Sequence, residues 1–116
     1  MAPGDCLFCG IVAKRIPATI VLETDQSIAF RDINPKAPVH VLVIPKEHID
    51  NLMALKAKHA QTLWDLHAAI QTVARQEGVA ESGFRVAVNN GKDSGQAVGH
   101  LHYHVLAGRK LSWPPG

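Results

Sequence analysis

At 116 residues the chain has room for one hydrophobic core and one domain. Hydrophobic residues make up 47% and charged residues 19%, which excludes wholesale disorder. The longest apolar run, residues 39–44, is broken by His40 and ended by Pro45, far short of the roughly 20 residues a membrane span needs. The net charge of +2 comes from scattered Lys and Arg, which argues against a nucleic-acid-binding surface but leaves room for a small anionic ligand.

In chain order, residues 1–4 are expected to be disordered. No basic region followed by an apolar stretch opens the chain, so no secretory signal is visible and a cytoplasmic location is expected. Asp5 can cap a short helix whose apolar positions Phe8, Ile11 and Val12 recur at helical spacing, with Pro17 as its stop. Residues 19–23 and 27–31 read as two strands of a hairpin about a turn at Asp25 and Gln26. Asn34, Pro35 and Pro38 mark a loop. Residues 38–44 are nearly all apolar, as in a strand buried on both faces.

From residue 52 to 77 the period changes. Leu55, His59, Leu63, Leu66, Ile70 and Val73 predict the main amphipathic helix, and Gly78 its C-terminal cap. Phe84, Val86 and Val88 alternate with Arg85, Ala87 and Asn89 in a half-buried strand. Residues 90–96 form a Gly-rich loop, 99–106 a last strand, and 107–116 a C-terminal tail. The expected fold is α+β: about five strands, mainly antiparallel, with one long and one short helix on one face of the sheet.

Chemistry concentrates at His100, His102 and His104. On a strand, positions two apart share a face, so three imidazoles would stand in a row with Leu101 and Tyr103 behind them. Unpaired imidazoles cost desolvation and repel one another when protonated, so core packing gives no reason to collect them. A nucleophilic histidine site and a three-histidine metal site are the two readings. The preceding Gly-rich loop favours the first, because successive amides turned inward can cradle phosphate oxygens.

Residues 99–106, Gly-His-Leu-His-Tyr-His-Val-Leu, resemble the signature of the histidine triad (HIT) superfamily, in which histidines alternate with apolar residues. The Hint-like branch is also resembled at residues 29–33, at residues 37–46, at the pair Gly95 and Gln96, and in the ending Trp113, Pro114, Pro115 and Gly116. The match spans nearly the whole chain, as a single HIT domain.

The resemblance implies a hydrolase that cleaves purine nucleoside 5′-phosphoramidates, such as AMP joined to an amine, through a nucleotidyl-histidine intermediate. By position His102 is the nucleophile, with His104 and His40 at the phosphate and His100 orienting the trio. A neutral imidazole, with an ordinary pKa of about 6.5, is available at pH 7 and is a better nucleophile than water. Asn89 matches a residue near the leaving group, and Gly95, Gln96, Ala97 and Val98 the phosphate loop. Asp32 matches the ribose ligand. Phe8, Ile11, Ile16, Phe30, Ile33 and Leu42 match the purine slot. A homodimer is implied, in which Trp113 of the tail reaches toward the partner's site. Two departures stand out: Ala97 replaces a serine whose hydroxyl can donate to the leaving group, and Tyr103 replaces a smaller aliphatic residue. A dinucleoside polyphosphate hydrolase and a nucleotide-binding interaction module with little turnover are the alternatives. No catalytic cofactor, nucleic acid or membrane is expected to take part.

Cys6 and Cys9 form a C-x-x-C. Without a secretory signal a structural disulfide is not expected, and a redox pair lacks the surrounding βαβ pattern. Idle thiols or half of a zinc site remain. The wider superfamily implies a structural zinc held by Cys6, Cys9, His48 and His100.

Overall fold

The computed structural model describes residues 6–116, so the expected disorder of residues 1–4 and the Asp5 cap lie outside the described residues. Cys6 takes the cap position of α1 (Leu7–Val12), its Sγ accepting the N–H of Cys9 at 3.4 Å. β1 (Ile20–Glu23) and β2 (Ser27–Arg31) form the expected hairpin, closed by the Ser27 N–H donating to Thr24 Oγ1 at 3.0 Å. With β3 (Val39–Pro45), β4 (Phe84–Val88) and β5 (Tyr103–Ala107) they make one sheet in the order β1-β2-β3-β5-β4. Every neighbouring pair is antiparallel.

β3 serves two layers because successive side chains point to opposite faces. Val41 and Val43 pack with Leu66, Ile70 and Val73 of α2 (Ala60–Gln76), and with Leu101, Tyr103 and Val105. Leu42 and Ile44 pack on the other side with Ile28, Phe30, and Phe8 and Ile11 of α1. The two helices therefore cover opposite faces instead of sharing one as expected. A central strand apolar at every position but one needs cover on both sides, and a single helix layer supplies only one.

Several boundaries differ from the expected ones. The long helix begins at Ala60, not residue 52, and two 3₁₀ turns, Leu52–Ala54 and Ala57–His59, precede it. Asn51 Oδ1 accepts the Ala54 N–H at 3.1 Å and His59 Nδ1 accepts the Lys56 N–H at 2.9 Å, so side chains take amides that a continuous helix would bond internally. Its other end is as expected: Gly78, at φ 72°, donates to Arg75 O while Val79 donates to Ala74 O, a Schellman closure.

β5 begins at Tyr103, not residue 99. The register pairs Val43 with Tyr103, which puts Pro45 opposite Leu101, and proline has no N–H to continue the ladder. Leu101 N–H goes instead to Ile49 O at 2.6 Å. The strand also runs one residue further than expected, through buried Ala107, so the tail begins at Gly108. β4 is one of the two edge strands, and its Phe84 and Val86 are each 38% exposed because no layer covers them, so the half-buried pattern expected there holds poorly.

Candidate active site and metal centre

The alternation at residues 100–105 survives although the strand is short. Leu101, Tyr103 and Val105 enter the α2-side core, where the larger Tyr103 packs edge-on against His67. The histidines take the other side but do not form one cluster. His102 and His104 stay together, with ring centroids 5.0 Å apart, while His100 is fully buried and turns to the cysteines. The three rings do not converge as a metal-ligating group among the described residues, which removes the three-histidine metal reading.

His102 and His104 line one end of a cleft of about 280 Å³. Its lining also includes Phe8, Ile11, Ile16, Phe30 and Leu42, together with Asp32, Ala97 and Val98. Ile33 also lines it, from the mouth, 96% exposed. Phe8 meets the His102 ring edge-on at 5.1 Å, which fixes one side of that imidazole.

Hydrogen bonds assign the ring protons. His102 Nδ1 lies 2.7 Å from the His100 carbonyl, so Nδ1 carries the proton and donates, and Nε2 keeps its lone pair. The Lys36 N–H donates to His40 Nδ1 at 3.0 Å, which puts the His40 proton on Nε2. That Nε2–H donates to His104 Nδ1 at 2.9 Å, with Asp32 Oδ2 3.5 Å away. His104 is then protonated on Nε2, and this buried atom has no hydrogen-bond partner among the described residues. An orphaned buried donor at a cleft suits an anionic oxygen. Burial, aided by the nearby His102 and His40, holds the His104 pKa down at about 4, and burial also lowers that of His40, so both rings are neutral at pH 7.

Asp32, His40 and His104 also bring ligand atoms within 4.8 Å of one another. The Lys36 amide nevertheless occupies His40 Nδ1, and a neutral ring with that nitrogen accepting holds its proton on Nε2. The trio is a relay of donors, not a metal cage. Asp32 is half-buried, and its Oδ1 accepts the Asn34 N–H at 2.8 Å.

The loop that precedes the histidines turns at Gly91 and Gly95, both at φ 85°, which only glycine adopts freely. The amides of Ala97 and Val98 make no hydrogen bond among the described residues. Both residues line the cleft, and two free amides beside it add to the His104 Nε2–H as donors that could meet an anion.

Behind this site Cys6, Cys9, His48 and His100 place their ligand atoms within 4.8 Å of one another. Cys6 Sγ is 3.3 Å and Cys9 Sγ 3.6 Å from His100 Nδ1, and Cys9 Sγ is 3.2 Å from His48 Nδ1. Tetrahedral bonds of about 2.3 Å to sulfur and 2.0–2.1 Å to nitrogen require edges of roughly this length. The outer nitrogens are held as metal-bound histidines are: His100 Nε2 donates to Pro45 O at 2.9 Å and His48 Nε2 to Asp50 Oδ1 at 2.8 Å, which leaves both Nδ1 lone pairs inward. Burial, then the Cys6 sulfur, pushes the Cys9 thiol up to about 11, and burial lowers the His100 pKa. The four residues fit a closed metal site.

The remaining expected residues lie outside the cleft lining. His40 stands behind His104, His100 belongs to the metal cluster, and Gln96 faces back into its own loop. Gly95 is in the loop turn and Asn89 follows β4, half-buried. Trp113 is 77% exposed, with the Arg85 guanidinium 5.5 Å from its ring centroid. The cleft also uses Leu7, Pro17, Ala18 and Arg31, which sequence reasoning missed. Only their adjacency to Phe8, Ile16 and Asp32 could have flagged them. Asp50, the partner of His48, was signalled by its place two residues further on.

Residues 13–111 match the HIT domain. The chain is 43% identical to a 14 kDa zinc-binding protein of Brassica juncea, over 97% of this chain and 100% of that one. It is 44% identical to the adenylylsulfatase HINT1 of Arabidopsis thaliana, over 95% of this chain and 76% of that one. A HIT family hydrolase of Legionella pneumophila superposes with a TM-score of 0.95 at 42% identity, over 97% of this chain and all of that one. A family match over residues 13–111 and a structural likeness over 97% of the chain show that this chain belongs to the HIT family.

Proposed function

We propose that the chain is a nucleotide-binding hydrolase that cleaves purine nucleoside 5′-phosphoramidates through a covalent nucleotide on His102. The observation that carries the reading is the hydrogen bond from His102 Nδ1–H to His100 O at 2.7 Å, beside the orphaned His104 Nε2–H. One ring offers a lone pair and the next a proton at the same end of the cleft.

The purine lies between the apolar walls and the ribose hydroxyls bond Asp32. The phosphate oxygens take the His104 Nε2–H and the amides of Ala97 and Val98. His102 Nε2 attacks phosphorus and a new P–N bond forms. The bond to the leaving amine breaks, and the amine departs with that electron pair and a proton from solvent. Water then adds to phosphorus and gives a proton back to solvent, the bond to His102 Nε2 breaks with its electron pair returning to nitrogen, and AMP and neutral His102 are released. The donors that meet the phosphate are in place before charge builds up, which is the largest catalytic contribution in such sites. Asn89 lies toward the leaving group and His40 keeps the His104 tautomer.

Ala97 favours a second class of leaving group. An amine needs a proton to depart, whereas sulfate leaves as a stable anion. The Arabidopsis relative is named for adenylyl sulfate cleavage, and AMP-sulfate suits a site without a hydroxyl at position 97. The same residue supports the reading as a slow binding module.

The ion in the Cys6, Cys9, His48 and His100 site is zinc, which favours such a sulfur and nitrogen set, and its role is structural because all four positions are filled by protein. Free thiols at Cys6 and Cys9 suit a reducing compartment such as the cytoplasm. The exposed Phe84 and Val86 on edge strand β4 support a homodimer in which the tail with Trp113 extends toward the partner's cleft.

The test replaces His102 with Ala. Hydrolysis of an AMP-amine substrate should fall roughly 10⁴-fold while AMP affinity changes little. Turnover that survives the substitution would end this reading.

A further inference from the structure

The side chain of Gln96 is spent on the protein itself. Its Nε2 donates to Asp50 O at 2.9 Å and to Val98 O at 3.0 Å, and its Oε1 accepts the Gly91 N–H at 2.8 Å. Both amide protons are used, and little capacity is left for a ligand. These bonds tie the start of the loop to its end, and both to the segment that follows His48.

That segment grips the loop region at a second point. Ile49, buried in the core, accepts the Leu101 N–H with its carbonyl at 2.6 Å. The adjacent carbonyls of Ile49 and Asp50 thus hold residues 96 and 101 on either side of Ala97 and Val98. Asp50 is itself held by the metal cluster, since its Oδ1 accepts the His48 Nε2–H at 2.8 Å. A continuous path runs from His48 through Asp50 and Gln96 to Gly91. The loop has two glycines at positive φ and needs such a tie to stay in one shape.

We propose that Gln96 is a positioning residue that ties the anion-binding loop to the metal centre, so that an ion held by His48 sets how well the loop binds a nucleotide's phosphate. The inference rests on the reading of Ala97 and Val98 as the phosphate site. A cation on His48 Nδ1 withdraws density from the ring and strengthens its Nε2–H donor. Asp50 is fixed more firmly, and with it the carbonyl that Gln96 uses.

The test uses zinc-loaded protein, amide hydrogen exchange at Gly91, and AMP binding by calorimetry. Gln96→Ala should speed exchange at Gly91 about tenfold and weaken AMP about fivefold, the scale of one lost hydrogen bond, with zinc content unchanged. Asp50→Ala keeps all four metal ligands. It should speed Gly91 exchange about threefold, a partial loss of the same bond, and add nothing in the Gln96→Ala background. Removing zinc from the wild type should accelerate Gly91, and from Gln96→Ala should not. If the metal-free chain unfolds, the Asp50→Ala arm decides. Gly91 exchange untouched by Asp50→Ala, or accelerated equally in both backgrounds, overturns the proposal. So does a Gln96→Ala variant that loses AMP affinity with Gly91 exchange unchanged, the result expected of direct contact with the nucleotide. Turnover is not read in any arm. A chain that behaves this way without hydrolysing anything would sink the proposed reaction and leave the tie standing; a wild type that does not bind AMP would sink the nucleotide reading, and Gly91 would still decide the tie.

Discussion

The His100 carbonyl and His102 Nδ1 lie 2.7 Å apart, and this one bond joins the Cys/His cluster to the histidines that line the cleft. His100 faces the cysteines with its ring and His102 with its backbone. A residue of the cluster that could hold a metal therefore fixes the tautomer of the proposed nucleophile. The bond exists because β5 starts at Tyr103, which leaves the His100 carbonyl outside the ladder.

Ala97 lines the same cleft as His102 and His104. Ala97→Ser restores a hydroxyl there, and turnover of an AMP-amine substrate should rise about tenfold, the low end of a single proton donor's effect. AMP-sulfate turnover should stay within about twofold, since sulfate needs no proton. Steady-state rates on the two substrates check this.

His104 links pH to stability. Its folded pKa of about 4 lies below the unfolded value of 6.5, and that of His40 is lowered in the same sense; in both, burial is the largest cause. The unfolded state then binds more protons, so the contribution is fully present above about pH 6.5 and is lost as pH falls through about 4. The opposing group is Asp32, which favours protonation. Chemical denaturation should show stability falling between these limits in the wild type and falling less in His104→Gln.

Metal removal should cost fold stability as well as order in the site. With free zinc 1,000-fold above its dissociation constant, binding adds roughly 4 kcal/mol. A chelator should therefore lower the thermal midpoint by many degrees, and Cys6→Ser should lower it with or without the chelator. An unchanged midpoint in the chelated wild type would show that the cluster holds no ion in solution.

Gly10 connects the fold to the purine slot. A Cβ at this position would land on the side chain of Ile16, which lines the cleft. Gly10→Ala should push Ile16 toward the purine and weaken AMP by about 1 kcal/mol, the low end of an overpacking penalty. Calorimetry of the variant reads it directly.

Much of this was legible in the residues. The fully apolar run around Val41 and Val43 marked the central strand, and Gly78 marked the end of α2. The histidine spacing marked the side chains that turn away from α2, because alternation survives even where a strand does not form. What stayed hidden depended on contacts distant in sequence. No local pattern shows that Pro45 stands opposite Leu101 and cuts β5 short. The placement of α1 on the far face follows from which side of β3 Leu42 and Ile44 occupy, a matter of packing. By resemblance Gln96 matches the phosphate loop, and only its three partners show that its side chain is turned to the protein itself.

The central claim is that His102 Nε2 bonds phosphorus during turnover. Mass spectrometry of protein quenched during turnover of an AMP-amine substrate tests it most directly. The account predicts a mass increase of one AMP less one water on the peptide that carries His102, absent in His102→Ala. An adduct on another residue, or steady turnover with none trapped on the wild type, would contradict it.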